Sequence, residues 1–220
     1  MYVHLRTSYN SLHYYTISQP PGIAADYVDI WQIHNVNTAV LARRTEIKDI
    51  FEEAQRSGKI RATGGSFYGA ELPAQALGYD LFDVIQVTYS VFDQRLATHV
   101  LPLAQASNVG VMVRSVLLKG ALTERADYLP DHLDPLRARS RHYRRLVADA
   151  GLGLTAAQAA IAFALAQPQI SAVLVGIRSQ EELAENLPAL TTTLPVSLLQ
   201  QLYDLRVDDE NLLNPGIWGI

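Results

Sequence analysis

The apolar run Asp26-Tyr-Val-Asp-Ile-Trp-Gln-Ile-His34 ends in the residue best suited to chemistry in this chain. Its composition is that of a buried parallel strand, and a parallel strand delivers whatever follows it to its C-terminal edge. In a (β/α)-barrel that edge is the catalytic rim, so an ionisable side chain at His34 is a candidate site residue. A lone histidine is more often a partly buried, hydrogen-bonded side chain, and only its context decides between the two. Other chemistries drop out early. The chain has no cysteine, which removes disulfides, thiolate catalysis and cysteine-ligated zinc. No glycine-rich Rossmann fingerprint follows a strand, and no pair of histidines has metal-ligand spacing. Arg137, Arg139, Arg141, Arg144 and Arg145 cluster on one predicted helix, but Asp131, Asp134 and Asp149 offset them. With a net charge of −4 the chain carries no footprint for nucleic acid or an anionic membrane.

The elements that must position His34 alternate. Short β-branched runs at 27–34, 60–66, 83–89, 109–115 and 171–176 read as strands. Amphipathic stretches lie between and after them: from Thr45 to a stop at Gly58, then 94–106, 136–150, 155–166, 179–187 and 196–205. Ile47, Ile50, Phe51 and Ala54 share one face of the first, and Ser179 is a predicted N-cap ahead of Glu181 and Glu182. Such alternation argues for βα units and a parallel sheet. Residues 1–25 do not share the rhythm. Residues 1–6 could add a sixth strand, but 14–22 is turn-rich and irregular. No low-complexity tract or linker divides the chain, so one domain over 1–220 is expected. A hydrophobic content of 49% with 18% charged residues is ordinary for a globular protein. No apolar run is long enough to span a membrane, and no cleavable leader is visible at the N-terminus, which points to a cytoplasmic protein.

Five blocks, taken in order, resemble the aldo-keto reductase family. The run ending in His34 is similar to its fourth strand. Gly58-Lys-Ile-Arg-Ala-Thr-Gly-Gly-Ser66 is similar to the fifth, and Val84-Ile-Gln86-Val-Thr-Tyr-Ser90 to the sixth. Val113-Arg114-Ser115-Val-Leu117-Leu-Lys119-Gly120 resembles the seventh strand and its loop. Val175-Gly176-Ile-Arg178-Ser-Gln-Glu-Glu182-Leu-Ala-Glu185-Asn186 resembles the eighth strand and the adenosine-binding helix. The resemblance implies an α/β fold of (β/α)8 TIM-barrel type, incomplete here, with about five or six of eight strands; a closed barrel needs about 250 residues. It also implies NADPH-dependent reduction of an aldehyde or ketone. On it, His34 takes the active-site histidine's position, while Ser66 and Gln86 hydrogen-bond the nicotinamide carboxamide. The family's asparagine after that serine is Phe67 here. Arg114 lies beside the nicotinamide, and Ser115, Leu117, Lys119 and Gly120 wrap the diphosphate, for which a lysine and backbone N–H groups are suited. Gly176, Arg178, Glu182, Glu185 and Asn186 form the adenosine site, and Arg178 favours a 2′-phosphate and hence NADP(H) over NAD(H). Glu181, Glu182 and Glu185 would otherwise be an ordinary solvated helix face. Asp29 is expected to stabilise the rim.

The family's aspartate, tyrosine and lysine precede its histidine. In this chain the first lysine is Lys48 and the first aspartate is Asp26, and no tyrosine before His34 stands in a Tyr-Gly setting. The expectation is therefore an N-terminally shortened member with a small-molecule carbonyl substrate and little activity of its own. Two alternatives remain open: a relative that holds NADP(H) without turnover, or an inactive fragment that self-associates through an open barrel edge.

Overall fold

His4–Leu5 forms a two-residue strand, β1, paired parallel to β2, Val28–Ile33, in the computed structural model, which describes residues 4–5 and 26–219. The rest of the predicted irregular segment 1–25 lies outside the described residues. The chain divides into two compact units, Met1–Val87 with His99–Val111 and Thr88–Thr98 with Met112–Ile220.

In the first unit, β2 is followed by α1, Thr38–Ala42, and α2, Arg44–Arg56. Then come β3, Ile60–Ser66; α3, Glu71–Leu77; β4, Val84–Thr88; and α4, Val100–Ala106. The order β1-β2-β3-β4 is parallel throughout. Ile47, Phe51 and Ala54 are the buried stripe of α2, and Ile50, predicted on the same face, is half-buried. Phe51 meets Trp31 of β2 edge-on at 5.5 Å and Phe82 at 6.2 Å, and Phe82 meets Phe67 at 5.7 Å. This aromatic layer fastens α2 to one face of the sheet, each ring contributing on the order of 1.5–3 kcal/mol of burial. Gly58, at φ +71°, ends the α2 turn as expected.

Two departures from the sequence reading concern helices. Neither α1 nor α3 was predicted, and the helix predicted over 94–106 begins only at Val100. Proline is tolerated in the first turn of a helix but not in its interior. Pro73 and Pro102 both stand third in their helices, so each marks a start that periodicity overlooks. In the second unit, Gln94 is committed elsewhere: its amide donates to the carbonyls of Val91 at 2.6 Å and Leu202 at 3.1 Å.

The second unit takes the end of β5, Gly110–Arg114, and pairs it parallel with β6, Ala172–Val173. Its helices are α5, Asp134–Asp149; α6, Ala156–Leu165; α7, Gln180–Asn186; α8, Val196–Tyr203; and α9, Glu210–Leu213. The helix α6 is alanine-rich and almost wholly buried, and a Thr155–Gln158 capping box starts it. The strand predicted over 171–176 is shorter than expected. The ladder runs as far as the Leu174 N–H, which donates to Val113 at 2.7 Å. The backbone then turns toward Ser179, whose hydroxyl caps α7 by accepting from the Glu182 N–H. Among the described residues no helix is long and apolar enough to cross a membrane.

Candidate functional site

The first unit carries His34, Ser66 and Gln86. Register aligns them. Ile33 stands opposite Gly65 and Ser66 opposite Gln86, so His34, one step past Ile33, falls in the same row at the C-terminal edge of β2, β3 and β4. The Val36 N–H donates to the Ser66 carbonyl at 2.8 Å, tying the turn after His34 to the end of β3. Ser66 and Gln86 are buried, and the Gln86 amide donates to the Ser66 hydroxyl at 3.4 Å. His34 is half-buried. Phe67, which stands in the asparagine's place, is fully buried in the aromatic layer on the other face. Asp29 lies near the start of β2, away from that edge, and pairs with Arg61 at 2.9 Å.

Gln32 is a residue that sequence reading passed over. It sits one row below His34, opposite Gly64, on the face turned away from Trp31. Gly64 makes room for it, since a Cβ there would lie 2.5 Å from Gln32 Cγ. The side chain is buried, yet neither its amide nitrogen nor its oxygen has a hydrogen-bond partner among the described residues. Burying an unsatisfied amide costs on the order of 1–3 kcal/mol, which makes this position one to explain.

The second unit holds a cavity of about 590 Å³, within the size range of small-ligand clefts. Its lining contains nine of the twelve residues predicted to bind the cofactor: Ser115, Leu117, Lys119, Gly120, Gly176, Arg178, Glu182, Glu185 and Asn186. Arg114 does not line it. It ends β5 half-buried, its guanidinium 3.5 Å from the Ser115 hydroxyl. The loop leaving β5 is strained. Ser115, Leu118 and Lys119 all have left-handed backbones, at φ 61°, 43° and 51°, and Gly120 follows at φ +94°. For a side chain other than glycine that region costs about 1–2 kcal/mol, and such strain concentrates at ligand-binding loops. The loop is held by internal turns: the Leu118 N–H donates to Ser115 at 2.8 Å and the Gly120 N–H to Leu117 at 2.9 Å. Those two amides are therefore engaged, and the Lys119 side chain is exposed.

Arg125 also lines the cavity and was not anticipated. It lies in a short 3-10 turn without periodicity, and its only sequence signal is Gly120. A Cβ on Gly120 would come within 3.1 Å of the Arg125 Cβ. The lining cations Lys119, Arg125 and Arg178 are matched by Glu124, Glu182 and Glu185. Glu182 is bound most tightly. Its carboxylate accepts from Arg178 Nε at 3.0 Å, from Arg178 Nη2, and from the Arg178 backbone N–H at 2.9 Å, while Arg125 Nη2 stands 3.5 Å away. The Arg178 hydrogen bonds hold the Glu182 carboxyl below the usual carboxylate range. Beside Gly176 the space is open, with no atom within 4 Å of where a Cβ would stand. The Gln158 amide donates to the Glu185 carbonyl at 2.6 Å, anchoring α7 on α6.

Parallel βα units, a polar row at strand ends and a cation-bearing cleft after β5 and β6 together describe an α/β protein of the TIM-barrel type with a partial set of strands. The similarity to known proteins agrees. The profile of the Aldo/keto reductase family matches residues 22–205, and the chain belongs to that family. The uncharacterized oxidoreductase YrpG of Bacillus subtilis (strain 168) is 27% identical over 205 residues, covering 83% of this chain and 60% of that protein. The NADH-specific methylglyoxal reductase of Escherichia coli (strain K12) is 29% identical over 188 residues, covering 78% of this chain and 57% of that one. Among solved structures, the holo form of aldo-keto reductase AKR11C1 from Bacillus halodurans superposes with a TM-score of 0.69 at 24% identity, covering 84% of this chain and 60% of that one. That last likeness establishes the fold. The chain thus spans less than two thirds of the length of these relatives.

Proposed function

We propose that this chain binds NADP(H) in the second-unit cavity and belongs to the machinery of aldehyde or ketone reduction. The observation carrying this reading is the convergence on one cleft of nine predicted residues, from the turns after β5 and from the segment of β6 through α7. The donor set fits a dinucleotide. Lys119 supplies a point charge for a diphosphate, and the Arg178 and Arg125 guanidiniums suit the phosphate of an adenosine ribose. Open space beside Gly176 admits a flat ring against the backbone. When bound, the nicotinamide supplies hydride. The resemblance, taken alone, gives orienting hydrogen bonds to the Ser66 hydroxyl and Gln86 amide and the orientation of a carbonyl oxygen to the His34 imidazole.

By itself, the 220-residue polypeptide turns substrate over slowly. A ketone or aldehyde oxygen needs a proton as hydride arrives, and the resemblance assigns that task to a tyrosine helped by a lysine and an aspartate. None of its residues before His34 matches that set. Loss of general acid catalysis costs about 10²- to 10⁴-fold. The name of the Escherichia coli relative makes NADH the natural comparison ligand. Fluorescence titration of the purified chain with NADPH and NADH, followed by an assay across an aldehyde panel, tests both halves of the reading. Saturable dinucleotide binding with turnover well below roughly 1 s⁻¹, an ordinary enzymatic rate, is the expected outcome. No binding of either dinucleotide overturns the first half, and turnover near that rate overturns the second.

A further inference from the structure

We propose that Glu182 is a specificity-determining residue: its carboxylate occupies the anion-binding edge of Arg178 and holds down the advantage of NADPH over NADH. The inference rests on the reading of the cavity as a dinucleotide site and names which residue sets its preference. An arginine recognises a phosphate or carboxylate through a planar fork of parallel N–H groups. On Arg178 the Nε–Nη2 fork is already filled by Glu182 Oε1, and Oε2 accepts the backbone N–H of the same residue. Ser179 fixes the Glu182 backbone from below, and Arg125 flanks the same oxygen. The carboxylate is thus an internal anion seated between two arginines.

A 2′-phosphate brings between one and two negative charges at neutral pH. It must either displace Glu182, breaking three hydrogen bonds to Arg178, or settle beside it as a like charge. NADH meets no such conflict. Its ribose has a hydroxyl at that position, and a hydroxyl can donate to a carboxylate. Glu182 therefore acts on the two dinucleotides with opposite sign, which is what selectivity requires. Only the exposure of the pair limits the effect: Arg178 is 62% exposed and Glu182 30%.

The test is the ratio of NADPH to NADH dissociation constants for the chain and for Glu182→Gln, by fluorescence titration, with the fold of each checked by circular dichroism. We expect Glu182→Gln to tighten NADPH by about tenfold or more, equivalent to about 1.4 kcal/mol, while NADH is unchanged or weakened. Glu181→Gln removes an equal charge from the neighbouring position outside the cavity lining and leaves the ratio within about twofold. In an Arg178→Met background the Glu182→Gln gain disappears, because the two act through one contact. If Glu182→Gln does not fold, Glu182→Asp is read by the same criterion, since the shorter side chain cannot keep both the backbone and the guanidinium contacts. A ratio unchanged by Glu182→Gln, with both dinucleotides still bound, overturns the inference alone. Failure of the parent chain to bind either one overturns the cavity reading and the inference with it.

Discussion

Replacing Gly120 by alanine tests whether the strained loop after β5 is what brings Arg125 to the cavity. Gly120 sits at φ +94°, with its N–H donating to Leu117 and its carbonyl accepting from the Thr123 N–H at 3.0 Å and hydroxyl at 2.8 Å. Those bonds prevent it from relaxing to a negative φ. Alanine there incurs the left-handed penalty, about 1–2 kcal/mol. It also places a Cβ 3.1 Å from Arg125 Cβ and 3.3 Å from its Cδ, inside the roughly 3.5–4.0 Å of an ordinary carbon contact. The nearer atom belongs to the chain-proximal part of Arg125, so the turn carrying it must shift, adding about 1 kcal/mol. The expected loss is about 2–3 kcal/mol. Gly58→Ala is the matched control. Its φ is +71°, and nothing lies within 4 Å of the new Cβ, so only the backbone cost of about 1–2 kcal/mol remains. Urea denaturation followed by far-ultraviolet circular dichroism measures both, and NADPH titration follows each. Gly120→Ala should be less stable than Gly58→Ala and bind NADPH at least about fivefold more weakly; Gly58→Ala should bind as the parent. Equal stability of the two variants with unaltered binding would refute the coupling between this loop and Arg125.

Two further outcomes concern the interior. Gln32→Leu replaces a buried, unpartnered amide by hydrocarbon of similar size, and a gain of about 1 kcal/mol in urea-derived stability is expected; a loss of that size would mean the amide is satisfied after all. Alkaline pH should also destabilise the protein. Burial raises the pKa of Tyr143, whose hydroxyl donates to the Ala156 carbonyl at 2.6 Å, and likewise raises that of Tyr89. Both are raised above their unfolded values, so their contribution is complete below about pH 10 and is lost as pH climbs past it, at up to about 1.4 kcal/mol per pH unit for each tyrosine. Tyr143→Phe should lessen the slope between pH 10 and 11.5, and an unchanged slope in that variant would count against the argument.

How far the sequence carries depends on whether a feature is local. Buried parallel strands are legible as β-branched runs, and β2, β3, β4 and β5 fall within the residues predicted for them. The helices α1 and α3 are not legible, since five- and seven-residue segments span too few turns to show a period. At the site the same limit acts on contacts. The resemblance names Arg178, Glu182 and Glu185 but cannot say which of them already holds another. An arginine and a glutamate four residues apart look the same in sequence whether they flank a ligand or neutralise each other. The coordinates separate the cases, because Glu182 grips both the guanidinium and the backbone of Arg178. Arg125 lies still further from view, placed by a backbone turn that glycine at 120 favours. Ionic pairing, more than residue identity, therefore decides the charge that the proposed dinucleotide would meet. On the proposed reading of this cleft, whose lining carries three glutamates and three cations, selectivity between NADPH and NADH rests on which pairs open when the ligand arrives.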